Sequence, residues 1–219
     1  MTLCDRDLKN HDINAIMLSG KVIRTGNLRE GKGTSLTLAV HMPALYGRRG
    51  EIYKDYPTVD ILGEPGEELR HLLHEGDYAT VVGYVREQKV TLMVGENKTK
   101  HLWMSKVIPN RVMKVSGKAG NNCVILSGTV TDVFVKMTGK VPFYSATVIA
   151  QREGKDPVRA TYACFGAQEC DIPRAGDYVF AECRLQTKEE LWPDDSHRRN
   201  KLTSLVARSV SVERRTDEA

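Results

Sequence analysis

An internal repeat constrains the fold of this chain more than any other feature of its sequence. Residues 15–20 read AIMLSG and residues 123–128 read CVILSG, and each hexapeptide follows an asparagine, Asn14 or Asn122. Similarity at a fixed spacing is the signature of a duplicated structural unit. With 219 residues, the chain has room for two units of about 110 residues.

Two further matches occur in the same order along the chain. SLTLAV (35–40) falls on FYSATV (143–148) at the same spacing of 108 residues, and the Gly-Asp-Tyr triplet at 76–78 recurs at 176–178, a spacing of 100 residues. The sequence therefore predicts two copies of one domain, with the second copy eight residues shorter between the matched blocks.

Each copy is rich in Val, Ile, Thr and Leu in runs broken by Gly, Pro and Asn, which is typical of short strands. PGEELRHLLHEG (65–76) predicts a helix with Leu69, Leu72 and Leu73 on one face, whereas Pro173 limits the second copy to a turn or two. Five strands with a helix between the third and the fourth is the order of the OB-fold, a small Greek-key barrel. The predicted strands are 14–24, 34–42, 57–63, 78–86, 90–95 and 100–108, then 122–136, 142–152, 157–165, 177–187 and 201–213.

The predicted fold class is therefore all-β with a short helix, as two tandem five-stranded OB-fold barrels. VMKVSGKAGNN (112–122) has the composition of a linker, and we predict domains at 1–115 and 116–219. Gly20 and Gly128 lie within the long first strands, where we expect a kink that lets one strand serve both sides of a barrel.

The net charge of +4 lies entirely in residues 1–119, which carry 18 basic and 14 acidic residues; residues 120–219 carry 14 of each. A local basic groove is sufficient for nucleic-acid binding even when the global charge is small. The five cysteines are odd in number and form no C-x-x-C pair, so neither a disulfide framework nor a zinc site is expected.

Other functional classes find little support in the sequence. No apolar run approaches the roughly 18 residues of a membrane span, and no secretion signal precedes the first strand, so we expect a cytoplasmic protein with no membrane partner. No P-loop, G-x-S-x-G or H-E-x-x-H motif occurs. His71 and His74 are three residues apart but have no evident partner ligand, so we expect no enzyme, no metal and no cofactor.

The second copy resembles the bacterial single-stranded DNA-binding protein family along nearly its whole length. The segments that carry the resemblance are NNCVILSGTVTD (121–132), FYSATVIAQRE (143–153), VRATYACFG (158–166), AGDYVFAECRLQTKEELW (175–192) and KLTSLVARSVSVERR (201–215). The first copy keeps the opening strand, LTLAV and GDY but lacks the Arg-Leu-Gln-Thr run, so its resemblance is weaker.

The resemblance implies sequence-independent binding of single-stranded DNA during replication, recombination or repair. It also implies a homodimer that presents four barrels. Replication or recombination proteins are candidate partners, but the chain ends at ERRTDEA, without the long linker and the acidic tip with an apolar pair through which family members recruit such enzymes. Recruitment by that route is not expected.

Such binding needs aromatic side chains that stack on bases and cations that follow the phosphates. In the second copy, the resemblance places aromatics near Trp192 and Phe165; the alternatives are packing of Trp192 against the barrel and of Phe165 in the core. Tyr162 lies on the opposite face of a regular strand from Phe165. The candidates in this copy are Arg152, Lys155, Arg159, Phe165, Arg184, Trp192, Arg198, Arg199 and Lys201.

In the first copy, MPALYGRRGEIYKDYP (42–57) interleaves aromatics with cations, as in a groove that follows a nucleic-acid backbone; a plain surface hairpin is the alternative. Trp103 alternates with Leu102 and Met104, which leaves core packing open. Candidates here are Tyr46, Arg48, Arg49, Tyr53, Lys54, Tyr56, Lys98, Lys100 and Trp103, with Arg24, Arg29 and Lys32 as a weaker contact loop.

A different function remains open from the sequence alone. OB-folds also bind RNA, oligosaccharides and proteins. The alternative is an RNA-binding or protein-interaction module in which the neutral second barrel mainly serves dimerisation.

Overall fold

Eleven strands and one helix make up the described part of this computed structural model, which covers residues 12–28, 32–43, 52–95, 98–117, 120–138, 141–152, 154–168, 171–191 and 199–215. Within these ranges, no helix is long and apolar enough to cross a bilayer. The elements are β1 (Asn14–Asn27), β2 (Gly33–Pro43), β3 (Ile52–Asp55), β4 (Thr58–Leu62), α1 (Glu64–Leu72), β5 (Tyr78–Gly95), β6 (Lys98–Val115), β7 (Asn121–Thr138), β8 (Val141–Arg152), β9 (Lys155–Phe165), β10 (Tyr178–Leu191) and β11 (Arg199–Glu213).

Strands β7 to β11 form a closed barrel, called barrel 2. β7 pairs with β8 and with β10, β8 pairs with β9, and β10 pairs with β11, all antiparallel. A short parallel ladder between β9 and β11 closes the ring, with Leu205 opposite Tyr162 and Val206 opposite Ala163. The strand order 1-2-3-5-4 around the ring is that of the OB-fold, so the predicted fold class is confirmed.

Strands β1 to β6 form barrel 1, in which β3 and β4 together occupy the position of the third strand. β2 pairs with β4 through its first half and with β3 through its second half. Among the described residues, β4 and β6 form no ladder, and an ion pair between Lys106 and Asp60, 3.2 Å long, spans the seam. Barrel 1 is therefore open at the edge where barrel 2 is closed.

Both barrels are filled by alternate residues of their strands, because successive side chains of a strand point to opposite faces. The core of barrel 2 also contains Tyr144 and Tyr162, whose rings meet edge to face with centroids 6.0 Å apart. Burial raises the pKa of both phenols. Tyr162 thus points inward, while Phe165 on the same strand points outward, as the alternation predicts.

The first strands of the two barrels pair with each other. β1 and β7 run antiparallel, from Asn14 opposite Leu126 to Ser19 opposite Asn121. This pairing makes one continuous sheet in the order β6–β5–β1–β7–β10–β11, called the shared sheet. The two barrels are consequently related by an approximate twofold axis between β1 and β7.

The repeated asparagines perform the same task in both barrels. The Asn14 side chain donates to the Val85 carbonyl at 2.7 Å and accepts from the Val85 N–H at 2.9 Å. Asn122 makes the equivalent pair with the Leu185 carbonyl and N–H, at 2.7 and 2.8 Å. Each side-chain amide therefore satisfies a backbone donor and a backbone acceptor on the fourth strand of its own barrel.

The Gly-Asp-Tyr triplets dock on the first strands in the same way. Val22 exchanges backbone hydrogen bonds with Asp77 and Gly76, each 2.8 Å long, and Val130 exchanges the same two bonds with Asp177 and Gly176. The two similar sequences thus correspond to equivalent hydrogen bonds.

One predicted alignment was wrong by two residues. Lys21 of β1 lies opposite Ala39, and the equivalent Thr129 of β7 lies opposite Ile149. The second strands are therefore related by 110 residues, and SLTLAV matches SATVIA (145–150) rather than FYSATV. Because the two copies differ in loop length, no single spacing relates all of their equivalent residues. The spacing of 108 residues, which holds for the first strands, therefore misaligned the second strands by two residues, the side-chain period of a strand.

The predicted linker and helix also differ from the structure. β6 extends to Val115 and β7 begins at Asn121, because the pairing of β5 with β6 continues well beyond the apolar run that predicted strand 100–108. α1 ends at Leu72, which is exposed, while Leu69 and Leu73 are buried. The domain division at 115/116 stays a prediction.

Gly20 lies where β1 passes from pairing with β7 to pairing with β2, and no side chain fits there. A Cβ at this position would overlap the carbonyl oxygen of Ala39, whereas a Cβ at Gly26 would meet only the flexible Ser35 hydroxyl at 3.2 Å. We expect Gly20→Ala to lower the free energy of unfolding by about 1–3 kcal/mol and Gly26→Ala to change it by less than about 0.5 kcal/mol. Urea denaturation measures both, and equal effects would contradict the predicted close approach.

Asp177 gives a pH dependence of known sign. Burial alone would raise the pKa of Asp177, but hydrogen bonds from the Arg174 and Arg215 N–H groups and from the Arg214 guanidinium lower it below the usual 3.8. A carboxylate with a depressed pKa stabilises the folded state above its unfolded-state pKa and loses that contribution as pH falls through its folded-state pKa.

We therefore expect wild type to be more stable than Asp177→Asn at neutral pH, with a difference that shrinks as the pH falls below 3.8. Paired urea titrations across this pH range measure it. A difference that grows on acidification would be inconsistent with the assigned hydrogen bonds.

Candidate nucleic-acid interface

Each barrel extends one long hairpin onto the other barrel. Arm 1 is the end of the hairpin that follows Val85 on β5 and precedes Val107 on β6. Arm 2 is the end of the hairpin that follows Leu185 on β10 and precedes Leu205 on β11. The arms touch where the Thr203 hydroxyl donates to the carbonyl oxygen of Ser105. Arm 1 lies beside β9 of barrel 2, and arm 2 lies beside β3 and β4 of barrel 1.

The outer face of β7, β8 and β9 carries exposed aromatic rings. Phe134 and Phe165 are 58% and 53% exposed, and the rings of Phe143 and Phe165 lie 4.9 Å apart at 49°. We call Phe134, Phe143 and Phe165 the aromatic face. In cross-strand rows from β7 through β8 to β9, the outward side chains are Lys136–Phe143–Phe165, Phe134–Ser145–Ala163 and Asp132–Thr147–Thr161.

A β-bulge directs Phe134 outward. Val124, Leu126 and Val130 point into barrel 2, and strict alternation would send Phe134 inward as well. The register with β8 shifts between Val130 and Asp132, so Val133 packs against the core instead and Phe134 faces away from it. An extra residue at a bulge reverses the face of every later side chain. The sequence-based search missed Phe134 for this reason.

Phe143 was missed as well, although an alternation signal was present. It is two residues before Ser145 and so shares its outward face, while Tyr144 and Ala146 are buried. A correct strand register would have indicated both Phe143 and Phe165. For Phe165, the core alternative is wrong, because the ring is more than half exposed.

Trp103 and Arg159 meet in a groove between arm 1 and barrel 2. The groove has a volume of about 320 Å³ and is lined by Trp103, Ser145, Arg159, Thr161, Ala163 and Ser204, among others. The guanidinium carbon of Arg159 lies 5.6 Å from the centroid of the Trp103 rings. Core packing of Trp103 is wrong, since it is 55% exposed: arm 1 extends past the barrel, where no core exists to receive it.

The hairpin between β8 and β9 brings further cations to this side of barrel 2. The Arg152 guanidinium stacks 4.1 Å from the centroid of the Tyr84 ring on β5, and Lys155 is exposed. Of the three cations predicted for this hairpin, Arg159 lines the groove, and contact of all three with phosphates stays a prediction.

Arg184 has a different environment. Its guanidinium lies 3.2 Å from the buried carboxylate of Asp55, which also accepts from the Thr187 N–H at 3.0 Å and from the Asn122 amide at 3.4 Å. These contacts attach β3 of barrel 1 to β7 and β10 of barrel 2, including Thr187 of arm 2. Binding of nucleic acid by Arg184 therefore stays a prediction, and none of these contacts supports it.

The remaining described candidates lie apart from the aromatic face. Lys201 donates to the Thr58 hydroxyl at 3.0 Å, and the Tyr56 N–H donates to the Thr187 hydroxyl at 2.8 Å, both between arm 2 and barrel 1. Lys54 and Lys100 are exposed. Tyr46, Arg48, Arg49, Trp192, Arg198 and Arg29 lie outside the described residues, and only the backbone is described for Tyr53, Lys98 and Arg199.

The arrangement of His, Cys, Asp and Glu side chains within the described ranges bears on metal binding and on thiol chemistry. Within them, no group of three or more His, Cys, Asp or Glu side chains is placed to hold a metal ion. Cys123, Cys164 and Cys183 are free, and burial raises the pKa of all three thiols, which disfavours the nucleophilic thiolate.

Comparison with known proteins adds to the geometry. No family model and no curated protein sequence matches the chain. The structure is similar to that of the wild-type single-stranded DNA binding protein from Thermus aquaticus, with a TM-score of 0.67 and 18% identity over 95% of this chain and 97% of that one. The chain has the fold of that protein. A deletion mutant of the Thermus aquaticus protein matches equally well, with a TM-score of 0.66 and 18% identity over 96% of this chain and 100% of that one.

Proposed function

We propose that this protein binds single-stranded DNA without sequence preference and protects it during replication, recombination or repair. The observation that carries the proposal is the aromatic face on strands β7 to β9 of barrel 2. Strands two and three of an OB-fold are the surface on which this fold binds oligonucleotides, and these are β8 and β9.

The chemistry of the face favours single strands over duplexes. Stacking of a base on an aromatic ring contributes about 1–3 kcal/mol and tolerates every base, but it requires bases whose faces are not already stacked in a duplex. Small side chains at Ser145 and Ala163 leave space beside Phe134 and Phe165. Arg152, Lys155 and Arg159 supply positive charge for phosphates. Binding is stoichiometric, with no catalysed reaction and no cofactor.

The fold shared with the Thermus aquaticus protein, which is described as a single-stranded DNA binding protein, supports this proposal. The two barrels contribute unequally to it. At the position of Phe134, barrel 1 has Gly26, and the positions of Phe143 and Phe165 are occupied by Gly33 and Leu62, which lie opposite each other. At these described positions, barrel 1 has no ring on which a base could stack.

We propose further that the domains divide at 115/116 and that two copies of the chain form a homodimer with four barrels. The outer face of the shared sheet supports the dimer, because exposed apolar side chains lie there close to the approximate twofold axis. They are Ile13 just before β1, Met17 on β1 and Phe180 on β10, and β7 lies between these two strands. An exposed apolar patch is typical of a protein interface.

Binding of oligo-dT tests the function directly. At low salt we expect Phe134→Ala and Phe165→Ala each to weaken binding of an oligo-dT of about 30 nucleotides roughly tenfold, since each removes one stacking ring. Fluorescence anisotropy of labelled oligo-dT measures the affinity. Leu72→Ala, which removes an equally exposed apolar side chain from α1, is the matched control and should bind as wild type.

Oligo-U and duplex DNA of the same length complete the experiment. Preference for oligo-U would favour an RNA-binding module, and equal binding of duplex would contradict stacking. Absence of oligo-dT binding by wild type at low salt would refute the proposed function.

The dimer has a separate test. We expect Met17→Asp to convert a dimer to a monomer, because it would bury a charge at the centre of an apolar interface. Leu62→Asp is the control, since Leu62 is exposed on β4, away from the shared sheet. Light scattering with and without oligo-dT gives the masses. A wild-type monomer, or a dimer that survives Met17→Asp, would exclude this interface.

A further inference from the structure

The two arms create two grooves in equivalent positions. Groove 1 lies between arm 1 and barrel 2 and contains Trp103. Groove 2 lies between arm 2 and barrel 1, has a volume of about 290 Å³, and contains Lys201. Ser105 and Thr203, where the arms touch, line both grooves.

Strand register shows that these positions correspond. Trp103 lies opposite Lys89, and Lys201 lies opposite Glu189, which is 100 residues after Lys89. The same spacing of 100 residues relates the Gly-Asp-Tyr triplets at the start of β5 and β10. Trp103 in groove 1 and Lys201 in groove 2 are therefore related by the approximate twofold axis.

The floors of the grooves correspond as well. Thr161 in groove 1 shares a hydroxyl hydrogen bond of 2.9 Å with Thr147, and Thr58 in groove 2 shares one of 2.9 Å with Thr37. Lys201 donates to Thr58, while Trp103 lines the same groove as Thr161. The grooves have a common frame and differ in the side chain that the arm contributes.

Groove 1 has a second distinctive feature in Glu87 of arm 1. Its carboxylate, with the side chain only 6% exposed, lies 2.7 Å from Nε of Arg159. Arg159 itself is 48% exposed, and its guanidinium is held beside the indole of Trp103. An acidic residue on a DNA-binding surface repels the phosphates and so disfavours binding. The ion pair of the buried Glu87 carboxylate with Arg159 indicates instead that Glu87 orients the guanidinium.

We infer that groove 1 is a nucleobase subsite built by both barrels, in which Trp103 of arm 1 stacks a base and Arg159 of barrel 2, oriented by Glu87, contacts the same nucleotide. Groove 2 holds the phosphate backbone through Lys201 and stacks no base. This inference rests on the proposed function and adds a site that the aromatic face alone does not provide.

The physical difference between the grooves makes the inference measurable. Stacking depends on the base and only weakly on salt, whereas a lysine–phosphate contact depends on salt and not on the base. For single strands, each phosphate contact contributes about 0.7 to the slope of log affinity against log salt concentration.

Trp103→Ala and Lys201→Ala form a matched pair for this test. Each is assayed on oligo-dT and on an abasic strand of the same length, over a range of salt concentrations. We expect Trp103→Ala to weaken oligo-dT binding about tenfold, with an unchanged salt slope and no loss on the abasic strand. Lys201→Ala should weaken binding to both strands and lower the slope by about 0.7.

Fluorescence locates the base independently of affinity. In Trp192→Phe, Trp103 is the one remaining tryptophan, and saturating oligo-dT should quench its emission while the abasic strand should not. Trp103→Phe retains a ring and should recover most of the lost affinity. Equal thermal unfolding of the Trp103 variants and wild type excludes misfolding as the cause of a loss.

The direction in which DNA affinity changes on substitution of Glu87 tests its positioning role. If Glu87 acted only as a negative charge, Glu87→Ala would tighten DNA binding. Orientation of Arg159 by this ion pair predicts the opposite, a several-fold weakening. Glu87→Gln keeps the size of the side chain but removes the charge that holds the guanidinium, so it should weaken binding as well. Tightening in Glu87→Ala would refute the role.

The outcomes separate this inference from the proposed function. If wild type binds oligo-dT and Phe165→Ala weakens it, the function stands. If Trp103→Ala then binds oligo-dT as wild type does, or loses affinity equally on the abasic strand, groove 1 is not a base subsite.

Discussion

The antiparallel pairing of β1 with β7 is the interaction on which the rest of the structure depends. It joins two barrels edge to edge in one sheet, removes an exposed edge from each, and sets the approximate twofold axis. Asn14 and Asn122, at the starts of these strands, fix the fourth strand of each barrel to the first. Since each fourth strand continues into an arm, the same contacts direct arm 1 onto barrel 2 and arm 2 onto barrel 1.

This arrangement explains how a duplicated chain can hold two different surfaces. The frame of each copy is maintained by the same hydrogen bonds, including those between the Gly-Asp-Tyr triplets and the first strands. The outward positions carry no part of that frame and are free to diverge. Phe134 corresponds to Gly26, and Trp103 corresponds to Lys201. The side of the molecule formed by barrel 2 and arm 1 therefore presents rings, whereas the side formed by barrel 1 and arm 2 presents a glycine and a lysine at the same positions.

The sequence predicted the features that depend on local pattern. The two barrels, the helix between the third and fourth strands and the inward direction of Tyr162 all follow from periodicity and the repeat. Phe134 could not be assigned, because a bulge at Thr131 reverses the alternation and leaves no mark in composition. The exposure of Trp103 depends on the length of arm 1, and the pairing of Arg184 with Asp55 depends on contact between the two barrels. Both are tertiary facts that no local pattern contains.

Photocrosslinking would test the central claim most directly. Oligo-dT in which one thymine is replaced by 5-iodouracil is irradiated with the full-length protein, and the modified residues are identified by mass spectrometry. Adducts on Phe134, Phe143, Phe165 or Trp103 are the predicted result, since halogenated pyrimidines react with the aromatic rings on which they stack. Adducts confined to α1 or to the outer face of the shared sheet would contradict binding on the aromatic face of barrel 2.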